Sequence, residues 1–234
     1  MGESMNDPEG LARQYGTQDR LLTRSEFWAP SPPAESPQDI ALEALRTSRA
    51  GQILEIGCGR GQFAARIQHE LGAHVLATDQ AEAMVEATRL LGVDAEIVDA
   101  DHLPYIDDRF DAVVALWMLY HVPNLDRTLA EVRRVLKPGG VFVAVTNSSQ
   151  HTADLRAAVG LGPALTQFMA EDGADTLRRH FDQVDSTPTS SKAVADHATA
   201  KAYLETFVPE LAWRLEPYDG LRTYTGSSAV FVAR

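Results

Sequence analysis

The stretch Ile53–Phe63, ILEIGCGRGQF, constrains the fold of this chain more than any other. Ile53, Leu54 and Ile56 read as a short buried strand that runs into Gly57, Gly59 and Gly61. A helix then opens, with Phe63, Ala64, Ile67 and Leu71 at helical spacing. Such glycines admit φ > 0 and leave room for a ligand against the backbone. Strand, glycine turn and helix in this order are the setting of a nucleotide-type cofactor site, and equally of a plain tight βα connection. The dinucleotide pattern is not met, because G-x-G-x-x-G counted from Gly57 needs glycine where Gln62 stands. An acid, Glu55, lies two residues before the first glycine.

Downstream the signals alternate. His74–Thr78 reads as a strand ending at Asp79, and Gln80–Leu91 as a helix with Ala83, Met84, Ala87 and Leu91 on one face. Ala95–Val98 is a short strand followed by Asp99, Ala100 and Asp101. Asp111–Trp117 is a continuous apolar run of the kind found in the middle of a parallel sheet. Asn124 suits an N-cap, with Leu125, Leu129, Val132 and Leu136 on one helical face behind it. Lys137-Pro138-Gly139-Gly140 stops that helix before a strand over Val141–Thr146. Repeated β-α-β at this spacing predicts an α/β, doubly wound sheet.

The flanks are less regular. Leu11–Trp28 mixes Tyr15, Arg20, Arg24, Phe27 and Trp28 with leucines, and Pro30, Pro32, Pro33 and Pro37 follow. An amphipathic helix before a proline linker suits a lid over the cleft, or a simple packing helix. A further helix is expected over Asp39–Ser48. Beyond Thr146, Leu155–Met169 is expected to be helical but broken by Gly160, Gly162 and Pro163, with a helix over Asp172–Arg179, partial helical period over Ala198–Trp213, and a final strand over Ala229–Ala233. Val184–Val194 fits no pattern cleanly but has room for a strand. The expected division is a tail and lid over residues 1–37 and one domain over 38–234, with 147–220 partly an insertion on the substrate side.

With 234 residues, 44% of them hydrophobic, the chain has enough apolar material for one well-buried domain. A net charge of −12, from 33 acids and 21 bases, argues against a duplex nucleic acid partner, which needs a basic face. The longest apolar run, Ala112–Tyr120, is far short of the ~20 residues of a membrane span, so no membrane partner is expected. One cysteine, Cys58, excludes an intrachain disulfide, and MGESMN is no secretory signal; a cytoplasmic location is expected. Cys58 sits where a thiol is activated by a helix start or, more simply, is a small packed residue. No histidine grouping has metal-ligand spacing, and no metal is expected.

Asp79 ends the second strand at the spacing for a carboxylate to accept ribose hydroxyls. Asp99-Ala100 ends the third, where a carboxylate and the next N–H suit an adenine edge. Together EIGCGRG, ATD at Asp79, VDADHLPY, DRFDAVVALWMLYHV and RVLKPGGVF resemble the core of the class I S-adenosylmethionine (SAM)-dependent methyltransferases. They are most similar to the branch typified by the ubiquinone/menaquinone biosynthesis methyltransferases, often called type 11. The resemblance implies a Rossmann-like, mostly parallel seven-stranded sheet with an antiparallel last strand, and an N-terminal lid helix. It implies SAM as methyl donor and S-adenosylhomocysteine as product. It implies Gly57, Gly59 and Gly61 around the methionyl part with Glu55 nearby, and Asp79 at the ribose with Gln80 beside it. Asp99 and Ala100 would take the adenine, the Leu116 carbonyl the methionyl ammonium, and Tyr15 and Arg24 of the lid the cofactor carboxylate. Arg60 departs from the small residue common in this loop, and is expected to point to solvent.

The reading that follows is methyl transfer to an O, N or C nucleophile of a small molecule, by a monomer or homodimer, in the biosynthesis of a metabolite. The alternatives are a nicotinamide-dependent oxidoreductase and a SAM-binding regulatory subunit without transferase activity. His121, just past the fourth strand, is the candidate proton acceptor, and its other reading is a brace for the loop before Pro123.

Overall fold

The computed structural model describes residues 18–28 and 36–234. Seven strands form one sheet in the order β3-β2-β1-β4-β5-β7-β6. They are β1 (Gln52–Ile56), β2 (His74–Asp79), β3 (Asp94–Ile97), β4 (Phe110–Leu116), β5 (Leu136–Asn147), β6 (Val184–Ala195) and β7 (Arg222–Ala233). β1 pairs in parallel with β2 and β4, β2 with β3, and β4 with β5. The last strand is antiparallel to both of its neighbours, β5 and β6. Ile53 stands between Val75 and Ala112 in register, and Leu54 between Leu76 and Val113 on the opposite face, so the centre of the sheet is apolar on each face.

Two cores follow from the alternation of side chains along the strands. On one face α2 (Pro37–Ser48), α3 (Gln62–Leu71) and α4 (Glu82–Arg89) bring Leu42, Leu45, Phe63, Ile67 and Val85 onto Ile53, Val75, Val114 and Val143. On the other, α5 (Leu125–Val135) and α7 (Gly173–Leu177) bring Leu129, Val132 and Leu177 onto Leu54, Val113, Phe142 and Phe231. The helix starts are set locally. Ser36 and Asp39 close a capping box with Pro37 in the first turn, and Asn124 accepts from the Arg127 N–H at 3.0 Å.

A third cluster joins the flanks. α1 (Gln18–Trp28) lays Phe27 among Leu155, Ala193, Tyr203, Leu204 and Tyr224, alongside α6 (Ala153–Ala158) and α8 (His197–Glu205). The Phe27 and Tyr203 rings stack at 4.1 Å. Trp28 lies over Gly226, where any Cβ would meet its ring at 2.7 Å. The described part of the expected lid helix is therefore a packed element; Leu11–Thr17, with Tyr15, lies outside the described residues.

The structure differs from expectation mainly after Asn147. The broken helix expected over 155–169 ends at Ala158, where Gly160 turns the chain at a φ of 81° as its position suggested, but no helix resumes before Gly173. The irregular segment that follows is pinned where the Thr146 hydroxyl donates to the Phe168 carbonyl at 2.8 Å. The ambiguous stretch 184–194 is the edge strand β6, polar because one side is wet, with Pro188 tolerated at the edge. β7 is longer than the expected 229–233 and pairs with the whole of β6. Strand β5 also begins earlier than expected, at Leu136 beside Phe110.

Candidate functional site

The site is built where the strand order reverses. β1 lies between β2 and β4, so the loops after these three strands share one crevice. Gly57, Gly59 and Gly61 all have positive φ, at 70°, 53° and 76°. Gly57 is required by a close approach, since a Cβ there would meet the Met118 Cβ at 2.7 Å. Gly61 is required by another, since its Cβ would meet Thr88 at 2.6 Å. Gly59 is different: an added Cβ would meet nothing within 4 Å. It is the glycine of the turn that faces open space.

Long-range contacts hold this turn in place. The Cys58 N–H donates to the Thr78 carbonyl at 2.9 Å, and the Gly61 N–H to the Cys58 carbonyl at 3.0 Å. Thr88, fully buried on α4, donates its hydroxyl to the Gly59 carbonyl at 3.2 Å. Asp79 accepts from the Gly59 N–H at 3.0 Å and from the Ala81 N–H at 2.9 Å. Burial pushes the Asp79 carboxyl up and those backbone donors pull it back. α3 starts at Gly61 with no side-chain cap, so its first N–H groups face the turn.

Gln80 is exposed beside Asp79, and Asp99 and Ala100 follow β3, the next strand outward. The Asp99 carboxylate accepts from the Asp101 N–H at 3.1 Å. Leu116 closes β4, and Trp117 after it holds a φ of 53°, unusual for a bulky residue. The Trp117 N–H donates to the Val145 carbonyl and its indole Nε1 to Asn147 at 3.0 Å. His121 closes a short 3-10 turn, 9% exposed, its ring edge-on to Tyr120 at 4.4 Å. The structure therefore gathers Gly57, Gly59, Gly61, Asp79, Gln80, Asp99, Ala100 and Leu116 along one edge of the sheet, with His121 just past it. Arg24 lies on α1, and its guanidinium donates to the Thr206 hydroxyl at 3.0 Å and carbonyl at 3.1 Å.

Glu55 lies beneath the turn, 3% exposed, and its Oε2 has no hydrogen-bond partner. Desolvation, opposed by the Ala64 N–H and aided by the nearby Asp79 charge, pushes it up to about 8. Cys58 is pushed up to about 12, chiefly by burial and then by Glu55, so it is a packed thiol. Arg60 partly corrects the expectation of a solvent-facing side chain. It is half-buried: its Nε is out of water without a partner, while its terminal nitrogens are not buried, so only the stem departs from that expectation. Among the described residues no group of three metal-ligating side chains occurs, and no helix is long and apolar enough to cross a membrane.

Sequence reasoning missed Thr88, Met118, Asn147 and His151. The first three matter through contacts between distant segments, and no local signal marks them. His151 follows β5 and packs its ring 5.1 Å from Trp28, with Nδ1 3.1 Å from the Ser227 carbonyl. Burial pushes it down to about 4. A histidine depressed this way binds fewer protons folded than unfolded between about pH 4 and 6.5. Its contribution to stability is thus full above about 6.5 and lost as pH falls through 4. Imidazole NMR should find His151 still neutral at pH 5; a midpoint near 6.5 would contradict the burial seen here.

Residues 54–144 match the family model described as "Methyltransferase domain". Methyltransferase GfsG of Streptomyces halstedii is 37% identical over 106 residues, 42% of this chain and 38% of that protein. The ubiquinone/menaquinone biosynthesis C-methyltransferase UbiE of Desulfotalea psychrophila is 38% identical over 101 residues, 41% of each chain. The chain thus aligns with about two fifths of the length of these curated relatives. Among solved structures, the [4+2]-cyclase SpnF superposes with a TM-score of 0.61 at 19% identity, covering 100% of this chain and 97% of that one. At that identity the likeness speaks for the fold alone.

Proposed function

We propose, on the premise that this chain carries a class I SAM-dependent methyltransferase domain, that it transfers the methyl group of SAM to an oxygen, nitrogen or carbon nucleophile of a small-molecule acceptor. The observation that carries the proposal is the turn itself. Gly59 faces open space while Gly57 and Gly61 are locked by Met118 and Thr88, so the backbone is shaped for something outside the protein. The residues around it suit this cofactor. The uncapped start of α3 presents N–H groups, and a carboxylate stands at the end of β2.

SAM supplies an activated methyl group on a sulfonium, open to in-line displacement. The protein's part is alignment and exclusion of water. In our reading Gly57, Gly59 and Gly61 seat the methionyl part, Asp79 with Gln80 the ribose, Asp99 and Ala100 the adenine, and the Leu116 carbonyl the ammonium. Arg24 is left out of this set because it donates to Thr206. A place in metabolite biosynthesis rests on the relatives' names, UbiE among them. The fold neighbour described as a cyclase keeps one alternative in view, this fold without methyl transfer. Incubation with methyl-labelled SAM and oxygen, nitrogen and carbon acceptors decides between them. Label in a product supports transfer; SAM binding with no labelled product from any acceptor favours the alternative.

For His121, burial and the ring contact with Tyr120 favour the brace over the proton acceptor. His121→Ala should then lower melting temperature and SAM affinity together, with little change in kcat at saturation. A ~10²–10⁴-fold fall in kcat with SAM affinity intact would return it to the chemistry.

A further inference from the structure

Glu55 is the one buried carboxyl beside the glycine turn, with one oxygen wholly unpartnered. An ionised carboxylate in that position has a single backbone donor, the Ala64 N–H at the start of α3, and its other oxygen has none to compensate burial. Two other titratable groups face it, and neither offsets its charge. Asp79 at the end of β2 repels it, and Cys58 in the turn is itself held as the thiol. Arg60, the cation of the turn, has its Nε buried without a partner among the described residues, an acid included. The pair Glu55 and Asp79 therefore holds room for one proton when no ligand is bound.

The ligand of the proposed function changes that balance. SAM carries a sulfonium, an ammonium and a carboxylate, hence one net positive charge. S-adenosylhomocysteine lacks the sulfonium and is net neutral. We propose that Glu55 reads this difference: it is the neutral acid in the ligand-free chain and gives up its proton when the cationic donor enters the turn. Donor binding then releases a proton to solvent, and the neutral product, drawing the proton back, is held less tightly. Glu55 so becomes a residue that favours donor over product, by a charge that exists only in the donor complex.

This inference rests on the SAM reading above, and calorimetry separates their failures. SAM and S-adenosylhomocysteine are titrated at pH 7 in phosphate and in Tris, whose ionisation enthalpies differ. The wild type should release close to one proton per SAM and clearly less with the product. SAM affinity should tighten roughly tenfold or more between pH 6 and pH 8. Glu55→Gln, which keeps the shape and cannot ionise, should abolish that difference in proton release and flatten the pH dependence. The ligand's own amine titrates in both proteins, so the comparison cancels it. Infrared difference spectra of the wild type give a measurement that needs no variant: SAM should bleach a protonated-carboxyl band. Binding without proton release, a persistent carboxyl band, or equal release in the variant overturns the inference alone. Binding of neither ligand overturns the SAM reading and the inference with it.

Discussion

Gly61→Ala should lower the melting temperature by roughly 10 °C, while Gly59→Ala should leave the fold nearly intact and lose the ligand. Both positions have positive φ, so each alanine carries a backbone cost of about 1–2 kcal/mol. At Gly61 a Cβ also meets Thr88 at 2.6 Å, and Thr88 is buried and bonded to the Gly59 carbonyl. Overpacking of that kind adds about 1–3 kcal/mol. At about 2–4 °C per kcal/mol for a chain of this size, the sum is a loss of roughly 10 °C. At Gly59 the Cβ meets nothing, so the fold bears only the backbone cost. The methyl group occupies the space assigned to the cofactor, and SAM affinity should fall by more than ~10-fold. Thermal melts and SAM titration of the two variants check this. Equal stability of both, or full SAM affinity in Gly59→Ala, contradicts the assignment of the open side of the turn.

Asp79→Ala should weaken SAM binding by about 10–100-fold, since hydrogen bonds to a charged group contribute roughly 1.5–3 kcal/mol. The structure adds a second reason. The carboxylate already accepts from the Gly59 and Ala81 N–H groups, so its loss also frees the turn. The weakening should therefore appear for S-adenosylhomocysteine as well as SAM. An unchanged dissociation constant for either would remove Asp79 from the site.

The glycine turn and the alternation around it were legible in the sequence because their signals are local. Ile53, Leu54 and Ile56 lead into glycines within a few residues, and Asn124 caps a helix whose apolar face follows directly. The antiparallel last strand came from family resemblance, and β5–β7 pairing bears it out. What the sequence hid depends on distance or on water. β6 carries Ser, Thr and Pro because it is an edge, and along most of its length residues on both faces are exposed, so no apolar alternation marks it. The break expected at Gly160 is where the helix of that stretch ends, but no helix resumes beyond it, because the Thr146–Phe168 bond governs the rest rather than its propensity. Likewise, why Gly57 and Gly61 must be glycine is written in Met118 and Thr88, far along the chain. Arg24 resembled a lid cation in sequence, and its bonds to Thr206, far along the chain, carry no local signal.

Calorimetric titration of the protein with SAM, NAD and NADP tests the central claim most directly. Three structural points favour SAM: Gln62 in place of the third dinucleotide glycine, an open Gly59, and Asp79 bonded to the turn. The account predicts saturable binding of SAM and none of either nicotinamide cofactor. Saturable binding of NAD or NADP with no heat from SAM would contradict it.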